Sequence, residues 1–214
     1  MKGLHFDPEK HKYYLDGKEL PGVTRIIGQF KDIRIGELRY KVDTYTGMLF
    51  DAEPFEKGAD RGTAIHNIAA VIAGGSRVNL DRLHPALLPA AEAYPQFLSD
   101  YQIKPLLIEE PMASVKWRYA GTVDLVANLL GRTYLIDIKS GVLSWSAGPQ
   151  TAAYEQLYRE SSGFTGKIVR AVAIPPMEEG KEWKLKALDK PYNRNDWRFF
   201  KARLEQHYYM ERIK

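Results

Sequence analysis

Apolar residues recur along this chain at two periods, and the switches between them predict its elements. Over 106–138 the pattern is that of strands. Segments 106–115, 118–130 and 133–138 are rich in Val, Ile, Leu and Tyr and end at polar breaks, with Gly131-Arg132 predicting a hairpin turn between the last two. An apolar strand is expected over 167–174 and a further one over 182–188. Helical spacing marks 58–73, which turns Ala64, Ile65, Ile68, Ala69 and Ile72 inward and stops at Gly74-Gly75. A second helical stretch, 85–101, is expected to kink or break near Pro95. Segment 147–160 predicts a third helix and 193–213 a long fourth one, with Asn193 or Asn195 as its cap. Ahead of these, Asp16-Gly17 supplies the positive φ angles of a tight hairpin turn, and a short helix starts at Thr24.

The 214 residues fit one domain with a full core, without internal repeats or low-complexity linkers. Composition narrows the function classes. No cysteine is present, which excludes disulfides, thiol catalysis and cysteine-ligated zinc or iron–sulfur sites. The five histidines show no His-x-x-x-His pair, and no phosphate-binding loop of the G-x-x-x-x-G-K-[ST] type occurs, so no nucleotide is expected and any ATP-driven motor would be a separate protein. No apolar run approaches about 18 residues and the first residues lack a signal-peptide core, which predicts a soluble, cytoplasmic protein without membrane association. The net charge of +4 is mild. Lys and Arg nevertheless gather over 181–190 and at Arg194, Arg198, Lys201, Arg203, Arg212 and Lys214, which suits a polyanionic partner or, equally, a solvated helix face.

Charge inside the strands is the most informative feature. Asp124 interrupts Thr122-Val-Asp-Leu-Val-Ala127, and Asp137 and Lys139 interrupt Tyr134-Leu-Ile-Asp-Ile-Lys139. A buried charge is costly unless it is paired or holds a metal. Residues two apart on a strand share a face, so Asp137 and Lys139 project together while Ile136 and Ile138 turn into the core. Two acids and a lysine at one spot suit phosphodiester hydrolysis assisted by a hard divalent cation. An isolated D-x-K is more often a strand-end ion pair.

The wider set of motifs is specific. Gly121-Thr-Val-Asp124, Asp137-Ile-Lys139-Ser-Gly141, Gln150-Thr-Ala-Ala-Tyr154 and the upstream Arg61-Gly-Thr-Ala-Ile-His66 resemble, in order and spacing, the motifs of the RecB-type branch of the PD-(D/E)xK nucleases. The opening segment His11-Lys-Tyr-Tyr-Leu-Asp-Gly-Lys-Glu-Leu-Pro-Gly-Val-Thr24 is similar to that of phage and viral exonuclease-like members, with Gly22 where they carry serine. The resemblance covers most of residues 5–175. It implies an α/β fold with a restriction-endonuclease-like αβββαβ core, a mixed central sheet flanked by helices. Within it, 1–57 would be an N-terminal hairpin and helical extension, 58–175 the nuclease core, and 176–214 a basic C-terminal strand and helix.

The same resemblance implies roles. Asp124 and Asp137 would ligate Mg²⁺ or Mn²⁺ together with the backbone carbonyl of Ile138, and His66 would complete a second metal position. Lys139 would activate the attacking water, and Gln150 and Tyr154 would contact Lys139 or the substrate backbone. His66, Gln150 and Tyr154 also have ordinary readings: a histidine on an apolar helix is commonly a hydrogen-bonded core residue, and Gln150 and Tyr154 suit an amphipathic helix on which Tyr154, Leu157 and Tyr158 form a packing stripe. Glu110 shares a strand face with Ile108 whereas Glu109 faces oppositely, and Glu110 is the candidate because several members carry an acid on that first strand. The implied activity is that of a metal-dependent DNA nuclease, an exonuclease acting on ends or single strands in phage-type recombination, repair or replication, partnered by a separate helicase or recombinase. It would lack the iron–sulfur cluster of some relatives. The alternatives are a non-catalytic nuclease-fold protein that binds nucleic acid or a partner, and an endonuclease.

Overall fold

Strands dominate the middle of the chain because its apolar residues alternate there, and the rest of the molecule is arranged around them. The structure is a computed structural model describing residues 3–28, 30–35, 38–43, 49–51, 53–140, 143, 145–188 and 195–213, with backbone alone over 30–60. A mixed five-stranded sheet is built from β7 (Lys104–Ser114), β8 (Tyr119–Leu129), β9 (Arg132–Ile138), β10 (Ile168–Ile174) and β11 (Lys184–Ala187), in the order β11-β10-β9-β8-β7. Strands β9 and β10 are parallel and the other neighbours antiparallel. A parallel pair needs a long crossover, and helix α4 (Ala147–Ser162) provides it.

Helices cover both faces, so the protein is α/β. One core packs α1 (Val23–Ile27), α4 and α5 (Asp196–Arg212) on the sheet through Ile26, Leu157, Phe200, Val123 and Leu135. The opposite core seats α2 (Glu53–Ala73) and α3 (Leu88–Asp100) through Ile65, Tyr94, Phe97, Leu125 and Ile136. The inward set Ile65, Ile68 and Ala69 is buried as helical spacing requires. Beyond the sheet edge, β1 (Leu4–Asp7), β2 (Lys12–Leu15) and β3 (Lys18–Leu20) form a small antiparallel sheet whose core side chains Tyr13, Leu15 and Leu20 pack with Ala113 and Ala120. Its β2–β3 turn is Asp16-Gly17, with φ of 50° and 76°.

Several expectations are corrected. Segment 30–51, expected to belong to a helical extension, contains the antiparallel strands β4 (Phe30–Ile35), β5 (Leu38–Asp43) and β6 (Leu49–Asp51). Helix α3 runs unbroken through Pro95, which sits on its exposed face between the buried anchors Tyr94 and Phe97. The break falls earlier, between the 3₁₀ turn Pro85–Leu87 and α3. The β8–β9 turn is Leu130-Gly131, one residue earlier than expected, because those two residues take the positive φ angles of 50° and 80° and Asn128 Oδ1 accepts from the Gly131 N–H. Helix α5 begins after Asn195, whose side chain makes no capping bond; Asn193 lies outside the described residues, as do Gly141, Lys190, Arg194 and Lys214. Arg203 is removed from the exposed basic set, since it is buried and donates to the Ile27 carbonyl. No helix among the described residues is long and apolar enough to cross a membrane.

A buried ionic clamp fixes α4 relative to α5. Arg170 on β10 donates to the Gly148 carbonyl at 2.7 Å and to Asp196 Oδ2 at 2.8 Å. A Cβ at Gly148 would stand 2.8 Å from Asp196 Oδ1, so only glycine admits this approach.

Candidate metal centre

The two acids nearest the α2 face of the sheet reach it through a shared irregularity. On β8, Val123 and Val126 lie in one core while Leu125 and Ala127 lie in the other, so strict alternation breaks beside Asp124. On β7, Glu109 adopts φ of 44°, and the ladder skips it and Asp124 between the pairs Ile108↔Leu125 and Glu110↔Val123. A local irregularity of this kind re-aims side chains, here Glu109 and Asp124 toward α2. Glu110, the acid expected at this position, is exposed, and Glu109 occupies the site instead. Period-two reasoning missed it because a left-handed residue resets the alternation.

His66, in the middle of α2, meets both acids. Its Nδ1 lies 3.4 Å from Asp124 Oδ1 and 3.5 Å from Glu109 Oε1, and its Nε2 is 3.0 Å from the Ile138 carbonyl. Donation from Nε2–H to that carbonyl directs Nδ1 at the carboxylates, so that a cation displacing its proton would meet the Nδ1 lone pair, the usual way a protein orients a ligating imidazole. The Ile138 carbonyl, implied as a ligand itself, is thus engaged by the His66 ring. Ligand atoms of His66, Glu109 and Asp124 all lie within 4.8 Å of one another. The other carboxylate oxygen of Asp124 accepts from the Ile138 N–H at 2.7 Å, which ties β8 to β9 where their ladder ends.

Asp137 stands apart from this triplet. It is buried on β9, and its Oδ2 is 2.7 Å from Lys139 Nζ, as shared strand facing predicts. Lys139 Nζ also donates to Gln150 Oε1 at 2.9 Å, and Gln150 Nε2 donates to the Tyr154 hydroxyl at 3.2 Å. The i, i+4 pair on α4 therefore holds the lysine from one side while Asp137 holds it from the other. Gly121 allows this packing: a Cβ there would stand 2.7 Å from the Tyr154 ring.

Electrostatics follow from the crowding of three carboxylates. Burial opposes charge on His66, but Asp124 and Glu109 outweigh it and push the imidazole up to about 10. Burial pushes the Asp137 carboxyl up to about 6, with Lys139 pulling it down and Asp124 adding to the rise. Burial likewise drives the Tyr154 phenol well above its ordinary value, so it stays a neutral hydrogen-bonding group. Asp137 Oδ2 and Glu109 Oε1 are sealed from water with no hydrogen bond of normal geometry, although each has a cationic group within ion-pair distance. Such orphaned oxygens are expensive unless something positive completes them. Carboxylate, imidazole and carbonyl donors without thiolate fit Mg²⁺ or, given the imidazole, Mn²⁺.

The triplet, Lys139, Gln150 and Tyr154 open onto one cleft of about 930 Å³. Its far wall is formed by the β1–β2 hairpin, including Phe6, His11 and Tyr13. Neither a protein-family model nor a curated protein sequence matches this chain.

Proposed function

We propose that the protein is a divalent-metal-dependent deoxyribonuclease with a restriction-endonuclease-like core, acting as an exonuclease on DNA ends. The observation that carries this reading is the convergence in one cleft of His66, Glu109 and Asp124, three hard donors from three elements, beside a lysine clamped by Asp137 and Gln150. With α3 set aside as an insertion between α2 and β7, the order α2, β7, β8, β9, α4, β10 supports it, being the αβββαβ order of that core.

His66, Glu109 and Asp124 would hold Mg²⁺ or Mn²⁺, with Asp137 engaged at Lys139. A cation held there would supply charge neutralisation at the phosphate and lower the pKa of a bound water. Lys139 presents a fixed ammonium to the cleft, where it orients the attacking water and balances charge on the scissile phosphate. Asp137 and Gln150 keep that ammonium from swinging away, which is a contribution of positioning. The bond between water oxygen and phosphorus forms as the ester P–O bond breaks; the attacking water releases one proton to solvent and the leaving oxygen takes one from solvent. Tyr154 keeps Gln150 in its rotamer through a neutral phenol.

Linear and circular DNA, each in single-stranded and duplex form and each incubated with Mg²⁺, Mn²⁺ or EDTA, test the reading. Cation-dependent loss of the linear form alone is expected. Equal loss of the circle would make the protein an endonuclease, and DNA binding without cleavage would make it a non-catalytic relative.

A further inference from the structure

The cleft has a wall that the chemistry above does not use. Phe6 on β1 stacks against Tyr13 on β2, with ring centroids 4.7 Å apart at 25°. His11, in the turn between them, stands edge-on to both, at 5.4 Å and 87° from Phe6 and at 5.7 Å and 80° from Tyr13. Packing accounts for Tyr13, which is buried in the small-sheet core. It does not account for His11, which is exposed, lines the cleft and is held at φ of 49°, a conformation glycine or asparagine would take more easily. The wall is also fixed relative to the acids. Tyr13 Oη is 2.9 Å from Thr122 Oγ1, two residues before Asp124 on β8, and the Gly22–Ala120 bridge ties the segment after β3 to the same strand.

We infer that Phe6 and His11 form a stacking wall for an unpaired nucleobase, so that the substrate taken into this cleft is single-stranded nucleic acid. The inference rests on the nuclease reading, because it needs the phosphate of that nucleotide to face His66, Glu109, Asp124 and Lys139 across the cleft. In a duplex both faces of an interior base are covered by its neighbours; a side chain finds a free face only on an unpaired nucleotide or at an end. Aromatic rings opposite a cation-holding phosphate site match the two parts of a nucleotide, an apolar planar base and an anionic backbone. The wall's own lysines add little attraction for duplex phosphates, since Lys10 and Lys12 are paired with Asp7 and Glu19.

The test uses a short single-stranded oligonucleotide carrying 2-aminopurine, whose fluorescence falls on stacking, and the same sequence as a blunt duplex. Both are titrated into the full chain with Ca²⁺, a hard oxygen-seeking cation. His11→Asn removes the ring at a backbone conformation asparagine tolerates, and His11→Tyr restores a ring. Wild type and His11→Tyr should bind the single strand and quench its fluorescence. His11→Asn should bind it about tenfold more weakly, within the range for losing one base–aromatic stack, while duplex binding stays weak and unchanged. Equal single-strand affinity in wild type and His11→Asn, equal weakening on single strand and duplex, or a preference for duplex would each overturn the inference. Cleavage with Mn²⁺ is read separately. Loss of the stacking difference with cleavage intact rejects only the wall, and a stacking difference without any cleavage rejects only the nuclease.

Discussion

Glu109 and Asp124 face each other across β7 and β8 at a step that the ladder between them skips, and both lie at His66 Nδ1. The defect in the sheet and the cluster of donors are the same feature. Glu109→Gln is therefore expected to weaken Mn²⁺ binding and slow Mn²⁺-dependent cleavage by about 10- to 100-fold, the scale of losses around a metal's supporting groups. Glu110→Gln, one residue away and exposed, should change neither. Calorimetric titration of Mn²⁺ into both variants checks the difference.

Asp124→Asn keeps an oxygen that accepts from the Ile138 N–H but removes the charge. The variant should stay folded but melt at a lower temperature without metal, because the cationic His66 loses its principal partner, while Mn²⁺ no longer raises that temperature and cleavage is lost. Thermal melts with and without Mn²⁺ show both effects.

Lys139→Met should leave Mn²⁺ binding in place and slow the chemical step by about 10²-fold or more. It also strands Asp137, whose buried carboxylate loses its only ion-pair partner among the described residues. Asp137 is already raised to about 6 from an ordinary 3.8, so its ionisation destabilises the fold, with the penalty setting in as pH rises from about 4 and complete above its folded value. Removing Lys139 raises that folded value further. The variant's melting temperature should therefore fall more steeply than wild type's between pH 5 and pH 8, a window in about the range of a buried carboxyl; parallel curves would show that the pair does not stabilise Asp137.

His66 is raised to about 10 from 6.5. A group raised on folding contributes stability that is complete below its unfolded value and disappears as pH climbs through the folded one. Metal-free protein should accordingly melt at lower temperature at pH 10 than at pH 6.5, and His66→Gln should flatten that slope. Adding Mn²⁺, which takes the place of the proton at His66, should flatten it too.

Gly121→Ala places a methyl 2.7 Å from the Tyr154 ring and 3.0 Å from Val23. Overpacking of this kind costs about 1–3 kcal/mol. Because Tyr154 supports Gln150 and Gln150 supports Lys139, activity should fall beyond what lost stability explains, which a rate measured well below the melting temperature would reveal.

The mixed sheet is legible from its short apolar, β-branched runs, and the helices α2, α3, α4 and α5 because their apolar residues keep helical spacing over ten or more residues. Shared facing on β9, i to i+2, places Asp137 beside Lys139, whereas the approach of Gln150 and Tyr154 to Lys139 is implied by the resemblance, with their i to i+4 spacing putting both on one face of α4. Glu109 was not placed, because alternation carries no record of a positive φ in the middle of a strand. The strands over 30–51 were overlooked although Ile33-x-Ile35 and Leu38-x-Tyr40-x-Val42 alternate at period two; each run is short and its polar partners are charged. The β8–β9 turn slipped by one residue because Arg132 after glycine looks as turn-like as Leu130 before it, and only the Asn128 side chain decides.

Every donor and cation of the candidate centre lies between residues 66 and 150, yet the helix carrying Gln150 is locked by Arg170 against Asp196, near the far end of the chain. A ribosome would thus finish all the reactive side chains well before it finishes the part that holds them in register. Until Asp196 is in place the helix carrying Gln150 lacks one of its two anchors on Arg170, so the lysine clamp gains its full backing only after every reactive side chain has been made.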